Sequence, residues 1–373
     1  MKALTFHAGP LAMARIAEHG LRARDIAIVP GAAGGPKGLI FQALDSWMFG
    51  EWFPTAPRER DLIGASIGAW RMAAACQKDP ARAFALLGEL YAGQRYTSLK
   101  PTPHEIDAVV QALLAELVRG HEDDILNHPH YRLHLIAARG RRSLAAPGHR
   151  NAELRGFISA ALHNAASRAW LARLMERVVI GDMRVGDARS PAPWLREPFD
   201  AFTTHFTPLT RDNLAPGLLA SGTLPLIMKA VTGIADAPEG SYWDGGIVDY
   251  HLALPYSRAV PTDAQEQGEL VLYPHFTSHI VPGWLDKSFP WRRVARGPNR
   301  GWLDNMLLVS PSEEFLRTLP NGKLPDRNDF HFYGLNHDER IRVWQRAIGE
   351  GERLRDELAA FAERPELARI LPI

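Results

Sequence analysis

A serine held between two glycines, Gly64-Ala65-Ser66-Ile67-Gly68, is the first feature that could do chemistry. A serine hydroxyl becomes a nucleophile when the chain turns sharply beside it and small neighbours let a strand and a helix pass closely. The turn then aims the hydroxyl at a helix N-terminus, where developing negative charge is favoured. An ordinary serine in a tight turn would carry the same five residues. A second feature lies about one βα unit earlier, in Pro30-Gly31-Ala32-Ala33-Gly34-Gly35-Pro36-Lys37-Gly38. Backbone N–H groups of a glycine loop that opens a helix can hold an anion. That anion is the tetrahedral oxyanion in a serine esterase, or a phosphate in a nucleotide-binding protein. The phosphate-loop pattern fails because Gly38 follows Lys37 where Ser or Thr is required; the dinucleotide pattern fails because Ala33 takes its first glycine position. A turn with no ligand is the remaining reading. The third feature is Asp244-Gly245-Gly246, a carboxylate on an open turn, although Asp-Gly is also a common plain turn signal.

Other residues compete for attention. His128, His130 and His134 have even spacing and would share one strand face, an arrangement open to metal ligation, but Pro129 interrupts the strand and no cysteine joins them. A solvated strand entry is the simpler reading. The aromatics of residues 47–53 suit either a core cluster or a membrane interface. Residues 288–302 combine aromatics with Arg292, Arg293, Arg296 and Arg300, which suits an anionic lipid surface or a basic loop. Cys76 reads as a small buried residue.

These residues need elements to position them. Residues 25–30 form a short β-branched run ending in the glycine cluster, which predicts a buried strand. Residues 39–53 have helical periodicity and begin just after Pro36. A second strand is predicted at 61–65 and a second helix at 67–77, so the chain opens as a parallel α/β sheet. Residues 10–20 and 80–120 read as helical, and a long helix is predicted at about 151–175. Further strands are expected at 132–138, 177–182, 201–210, 269–276 and 305–311, and 241–250 reads as a strand entering a Gly-Gly turn. Residues 215–227 read as a helix followed by a turn, and 336–364 as one charged amphipathic helix.

Composition bounds the rest. The 373 residues are 46% hydrophobic, enough for a substantial core. Lys and Arg number 43 against 42 Asp and Glu, so no preference for nucleic acid or other polyanions follows. One cysteine excludes an internal disulfide and fits a reducing, cytoplasmic setting. His7, Arg15, Glu18 and His19 interrupt any secretory-signal core, and no apolar run reaches the roughly 18 residues of a membrane span. The Pro-rich stretches 187–198 and 281–299 are too short to be confident linkers, which favours one domain.

Together and in this order, the three chemical segments resemble the patatin-like phospholipase family. That family carries a loop of the form Asp-Gly-Gly-Gly-x-Arg/Lys-Gly, then Gly-x-Ser-x-Gly, and much later Asp-Gly-Gly/Ala. Here they stand as Ala32-Ala33-Gly34-Gly35-Pro36-Lys37-Gly38, Gly64-Ala65-Ser66-Ile67-Gly68 and Asp244-Gly245-Gly246. The stretch Ala220-Ser221-Gly222-Thr223-Leu224-Pro225 also matches an Ala-Ser-x-x-x-Pro segment that usually precedes the Asp. Ala32 and Ala33 depart from the usual Asp and first Gly.

The resemblance covers about residues 25–256. It implies a three-layer α/β/α fold around a central, mostly parallel sheet. Residues 1–373 would form one domain, in which 257–373 extend the motif-bearing core and end in helix. It further implies a Ser–Asp dyad that hydrolyses acyl esters, usually of lipids. Ser66 would be the nucleophile and Asp244 its base. Gly34, Gly35 and Gly38 would form the oxyanion site, and Gly64 and Gly68 would shape the serine turn. No metal or organic cofactor is implied. The expected partners are a lipid or other acyl ester and, peripherally, a membrane surface. For Asp244 to serve as a base, burial should raise its pKa above about 3.9. Two alternatives stand beside this reading. One is a Ser–His–Asp α/β-hydrolase, whose serine turn normally follows more strands. The other is a silent scaffold that uses the same loop to bind an anionic ligand.

Overall fold

The computed structural model describes residues 2–182, 193–259, 269–293, 299 and 301–373. Ten strands among them form one mixed, mostly parallel sheet. They are β1 (Leu4–Ala8), β2 (Ile26–Gly31), β3 (Arg60–Ala65), β4 (Tyr131–Gly140) and β5 (Met175–Gly181). β6 (Thr204–Pro208), β7 (Tyr242–Asp244), β8 (Leu270–Pro274), β9 (Met306–Pro311) and β10 (Ile370–Pro372) complete it. The order is β10-β1-β9-β8-β2-β3-β4-β5-β6, with β7 paired to β4. The β1–β9, β4–β5 and β4–β7 pairs are antiparallel and the others parallel.

β2, β5, β8 and β9 are buried along their whole length. A strand covered on both faces reads as a continuous apolar run, and that is why Ile26-Ala27-Ile28-Val29 and Met306-Leu307-Leu308-Val309 stand out. The strands expected within 201–210 and 241–250 are shorter, at Thr204–Pro208 and Tyr242–Asp244, and the second gives way to a short helix, Gly246–Asp249. β1 and β10, which flank each other at one edge, gave no strand signal.

The sheet's register brings distant residues together. Gly31 at the end of β2 pairs with Gly64 near the end of β3. Leu135 and Ile136 of β4 pair with Gly64 and Ala65, and Ala137 pairs with Asp244 of β7. The glycine loop, the serine turn and the Asp244 turn therefore leave β2, β3 and β7 at nearly the same level, with β4 joining the last two.

Several helices differ from the sequence pattern. The helix expected at 151–175 is two, Arg150–Ala166 and Arg168–Leu171. Ser167 is extended, and its side chain accepts the Ala169 N–H as an N-cap, restarting the helix. The charged tail is also two helices, His337–Glu350 and Glu352–Glu363, divided at Gly351, a poor helix former. Residues 39–53 are helical throughout but heterogeneous, with a 3-10 segment Gly35–Phe41, an α-helix Gln42–Trp47 and a π-turn Met48–Trp52. Phe49 and Phe53 are buried there, and Trp47 stacks on Trp52 with centroids 5.1 Å apart, so this aromatic cluster belongs to the core. No described helix is long and apolar enough to cross a membrane.

Candidate active site

Ser66 lies between β3 and the helix Ile67–Ala75, with φ 56° and ψ −132°. A non-glycine residue in that region is strained and needs its surroundings to hold it. Gly68 supplies part of the hold, since a Cβ there would lie 1.8 Å from the Gly31 carbonyl oxygen. The first turn of this helix can thus press against the end of β2. Ser66 N–H donates to Ser221 Oγ at 2.9 Å, and Ser221 Oγ donates to the Ile136 carbonyl at 2.7 Å. The same residue's carbonyl accepts the Gly245 N–H at 3.1 Å, while Thr223 O accepts the Asp244 N–H at 2.7 Å. The segment at 220–225 therefore ties the serine turn to the Asp244 turn through its backbone and one hydroxyl.

The two side chains meet directly. Ser66 Oγ donates to Asp244 Oδ2 at 2.7 Å, and both residues are about 4% exposed. The other carboxylate oxygen, Oδ1, accepts the Gly246 N–H at 2.7 Å. Burial raises the Asp244 pKa above the ordinary carboxylate value, while Arg327 and the hydrogen bonds from Ser66 and Gly246 oppose the rise. This is the direction a general base requires.

No described imidazole intervenes. His251 Nδ1 accepts the Val281 N–H, and burial, reinforced by the neighbouring His275, holds its pKa well below 6.5. His275 is bonded to Thr277 and pushed down to about 3 by burial. His205 faces Glu176, and His337 bonds the Tyr96 carbonyl. Of the even-spaced histidines, His134 bonds Asp61, and His128 accepts the N–H groups of His130 and Tyr131. Among the described residues no three His, Cys, Asp or Glu gather as a metal site.

Gly34 and Gly35 line the same cavity as Ser66 and Asp244, a space of about 280 Å³. Gly35 has φ 56° and opens the 3-10 segment Gly35–Phe41, whose first N–H groups have no partner within the helix. Pro36 has no N–H to offer, which leaves the Gly34 and Gly35 amides as the donors of this turn. The expected third donor stands apart: Gly38 does not line the cavity, and a Cβ there would meet Ile67 and Arg71 side chains. Its small size serves the contact between two helices. Gly64 likewise lies under the turn, where a Cβ would come within 2.5 Å of Ala69. Ala32 and Ala33, the departures from the family pattern, are buried, and Ala33 N–H donates to the Tyr250 carbonyl at 3.0 Å.

The helices behind the two loops are locked together. Arg71 on Ile67–Ala75 makes a bidentate pair with Asp45 on Gln42–Trp47, both bonds 2.8 Å, and both residues are buried. Cys76 is buried at the end of the Ile67–Ala75 helix. A second ionic hub is Asp286, which accepts from Asn164, Arg168 and Arg292. Arg292 is thus committed to the interior rather than to a surface charge patch. Arg293 and Trp291 are exposed, while Arg296 and Arg300 lie outside the described residues.

The C-terminal part, which carried no motif, supplies the rest of the cavity wall. Lys287 follows the turn Trp284–Asp286, and Arg327 precedes the helix Asn328–Tyr333. Lys37, from the glycine loop itself, joins them. Nothing in the local sequence marks Lys287 or Arg327, because both sit in irregular segments whose nearness to Ser66 is set by the sheet alone. No protein-family model matches this chain, and no curated protein is found similar to it, so its residues and their geometry carry the functional reading.

Proposed function

We propose that this protein is a serine acyl-ester hydrolase of the patatin-like kind, with the three-layer α/β/α arrangement of that family. The observation that carries the reading is the direct 2.7 Å bond from Ser66 Oγ to Asp244 Oδ2, with both residues buried at the ends of β3 and β7, two strands that each pair with β4. A Ser–His–Asp enzyme would need an imidazole between them.

In the proposed cycle Ser66 Oγ attacks the ester carbonyl carbon and its proton passes to Asp244. The carbonyl oxygen becomes an oxyanion facing the Gly34 and Gly35 N–H groups. The carbon–oxygen bond to the alcohol then breaks, and the departing alkoxide takes the proton from Asp244. Water next attacks the acyl-serine and gives one proton to Asp244. Collapse releases the carboxylic acid and returns that proton to Ser66 Oγ. Asp244 ends the cycle ionised, as it began.

The test is covalent labelling by a fluorophosphonate together with turnover of 4-nitrophenyl butyrate. Labelling of the wild type and none of Ser66→Ala is expected. An unlabelled wild type that binds anions but turns over no ester would instead be the silent scaffold. Action on lipid and a peripheral stay at a membrane surface belong to this proposal; vesicle co-sedimentation that weakens with salt would test the second.

A further inference from the structure

Three cations face the cavity that holds Ser66 and Asp244: Lys37, Lys287 and Arg327. They come from three separate segments, and none forms an ion pair with a described carboxylate. Lys37 Nζ lies 5.3 Å from the centre of the Phe276 ring, and Lys287 Nζ 4.1 Å from that of Tyr250. Arg327 borders the glycine loop so closely that a Cβ on Gly35 would sit 3.2 Å from its Nε. The two carboxylates in the lining are already engaged. Asp244 accepts from Ser66 and Gly246, and Asp326 from Lys323 at 2.8 Å and the Asn328 N–H at 2.8 Å.

Three cations share this lining with two carboxylates, and Asp326 beside Lys37 and Asp244 beside Lys287 only partly offset the depression of the two lysines. Burial pulls both lysines below the ordinary ammonium range, Lys287 to about 8, and the charge of Arg327 adds to the effect on each. Positive charge is therefore in excess, three cations to two carboxylates, which leaves room for one more anion. The space is also small. About 280 Å³ falls below the roughly 300–1,000 Å³ of pockets for drug-sized ligands. Its larger apolar side chains are Leu224, Trp284 and Tyr250.

Resting on the hydrolase reading, we propose that the substrate is a compact acyl ester bearing an anionic group, carboxylate or phosphate, that docks on Lys37, Lys287 and Arg327. The anion is held beside the reacting carbonyl, so the cations act on binding and orientation. A purely electrostatic role towards Asp244 or the oxyanion would change all esters alike. Recognition changes the ratio between charged and neutral ones.

The experiment compares kcat/KM for 4-nitrophenyl butyrate and the mono-4-nitrophenyl ester of succinic acid, which have the same chain length and differ by one carboxylate. The expected preference for the anionic ester is about tenfold or more, as charge-assisted hydrogen bonds provide. It should fall about tenfold in Lys287→Gln or Arg327→Gln and weaken with salt. Equal rates for the two esters, or a ratio unmoved by both variants, would overturn the proposal. Acetyl and palmitoyl esters of glycerol phosphate form a second arm. Faster cleavage of the acetyl ester supports a compact substrate; faster cleavage of the palmitoyl ester makes the cations a lipid-headgroup site and overturns that part. Inorganic phosphate titrated into Ser66→Ala, followed by calorimetry, reads the anion site without chemistry. Binding there that is lost in the Lys287→Gln/Arg327→Gln double variant supports it, and no binding overturns it. If phosphate binds but no ester turns over and Ser66 stays unlabelled, the hydrolase reading falls and the anion site stands.

Discussion

Replacing Asp244 with Asn tests the site most sharply, because the structure dictates which way the new amide must point. Asp244 Oδ1 accepts the Gly246 N–H at 2.7 Å, a bond that only an oxygen can receive. In Asp244→Asn the amide oxygen must therefore stay on that side. Its NH₂ then faces Ser66 Oγ, where the wild-type carboxylate accepts at 2.7 Å. The Ser66 hydroxyl thus exchanges an acceptor for a donor and loses its proton sink. Removing one member of a nucleophile unit costs about 10⁴–10⁶ in kcat in the best-measured serine hydrolases, and single and combined losses are nearly equal. Asp244→Asn should fall in that range, to the level of Ser66→Ala, and the double variant should be no slower. The fold should not suffer. Burial disfavours the ionised carboxylate, so a neutral isostere should leave Tm unchanged or higher. The assay is 4-nitrophenyl butyrate turnover alongside thermal unfolding. An Asn variant that keeps more than about a hundredth of the wild-type rate would refute the base assignment. So would a folded His251→Gln or His275→Gln variant as inactive as Ser66→Ala.

Other perturbations read the supporting structure. Arg71→Met leaves the Asp45 carboxylate buried and alone, which should cost about 3–5 kcal/mol in urea unfolding; Arg71→Met with Asp45→Leu should recover most of it. Gly68→Ala places a Cβ 1.8 Å from the Gly31 oxygen, a backbone clash that should cost more than about 4 kcal/mol or abolish folding, read by circular dichroism. The preference for the succinate ester should fade as pH rises through about 8, where Lys287 loses its proton, and Lys287→Arg should carry it to higher pH. A preference flat to pH 10 would remove Lys287 from anion binding.

The parts of this site legible in the sequence are those where backbone geometry restricts residue type. Gly68 must be glycine because the first turn of its helix touches β2, and Asp244 precedes two glycines because the chain must turn at once into a helix. Strands buried on both faces, such as β2 and β9, announce themselves by apolar runs. Lys287 and Arg327 could not be found this way. Their segments follow β8, which enters the sheet beside β2, and β9, which enters beside β8, and a lysine on a loop looks the same wherever the loop lands. Gly38 is ambiguous for the opposite reason: it does not line the cavity, and a glycine beside a loop can serve helix packing as well as an oxyanion. The breaks at Ser167 and Gly351 were masked by good helix formers on either side. β10, three residues long, is too short to show any period.

The pairing of β1 with β9 and β10 has a consequence for how the chain is made. Thr5 bonds Ser310, 305 residues later. At the roughly 5–20 residues per second of synthesis, β1 waits about 15–60 s for its neighbours. Ser66 waits for Asp244, 178 residues on, for about 10–35 s at that rate. Through that interval the nascent chain carries a serine turn without its carboxylate and an apolar strand without a partner. The hazard lies in the strand's unpaired edge, which stays open until β9 arrives. The Ser66 hydroxyl, meanwhile, lacks its carboxylate partner until β1 to β7 have been made, with β8, β9 and β10 still to follow.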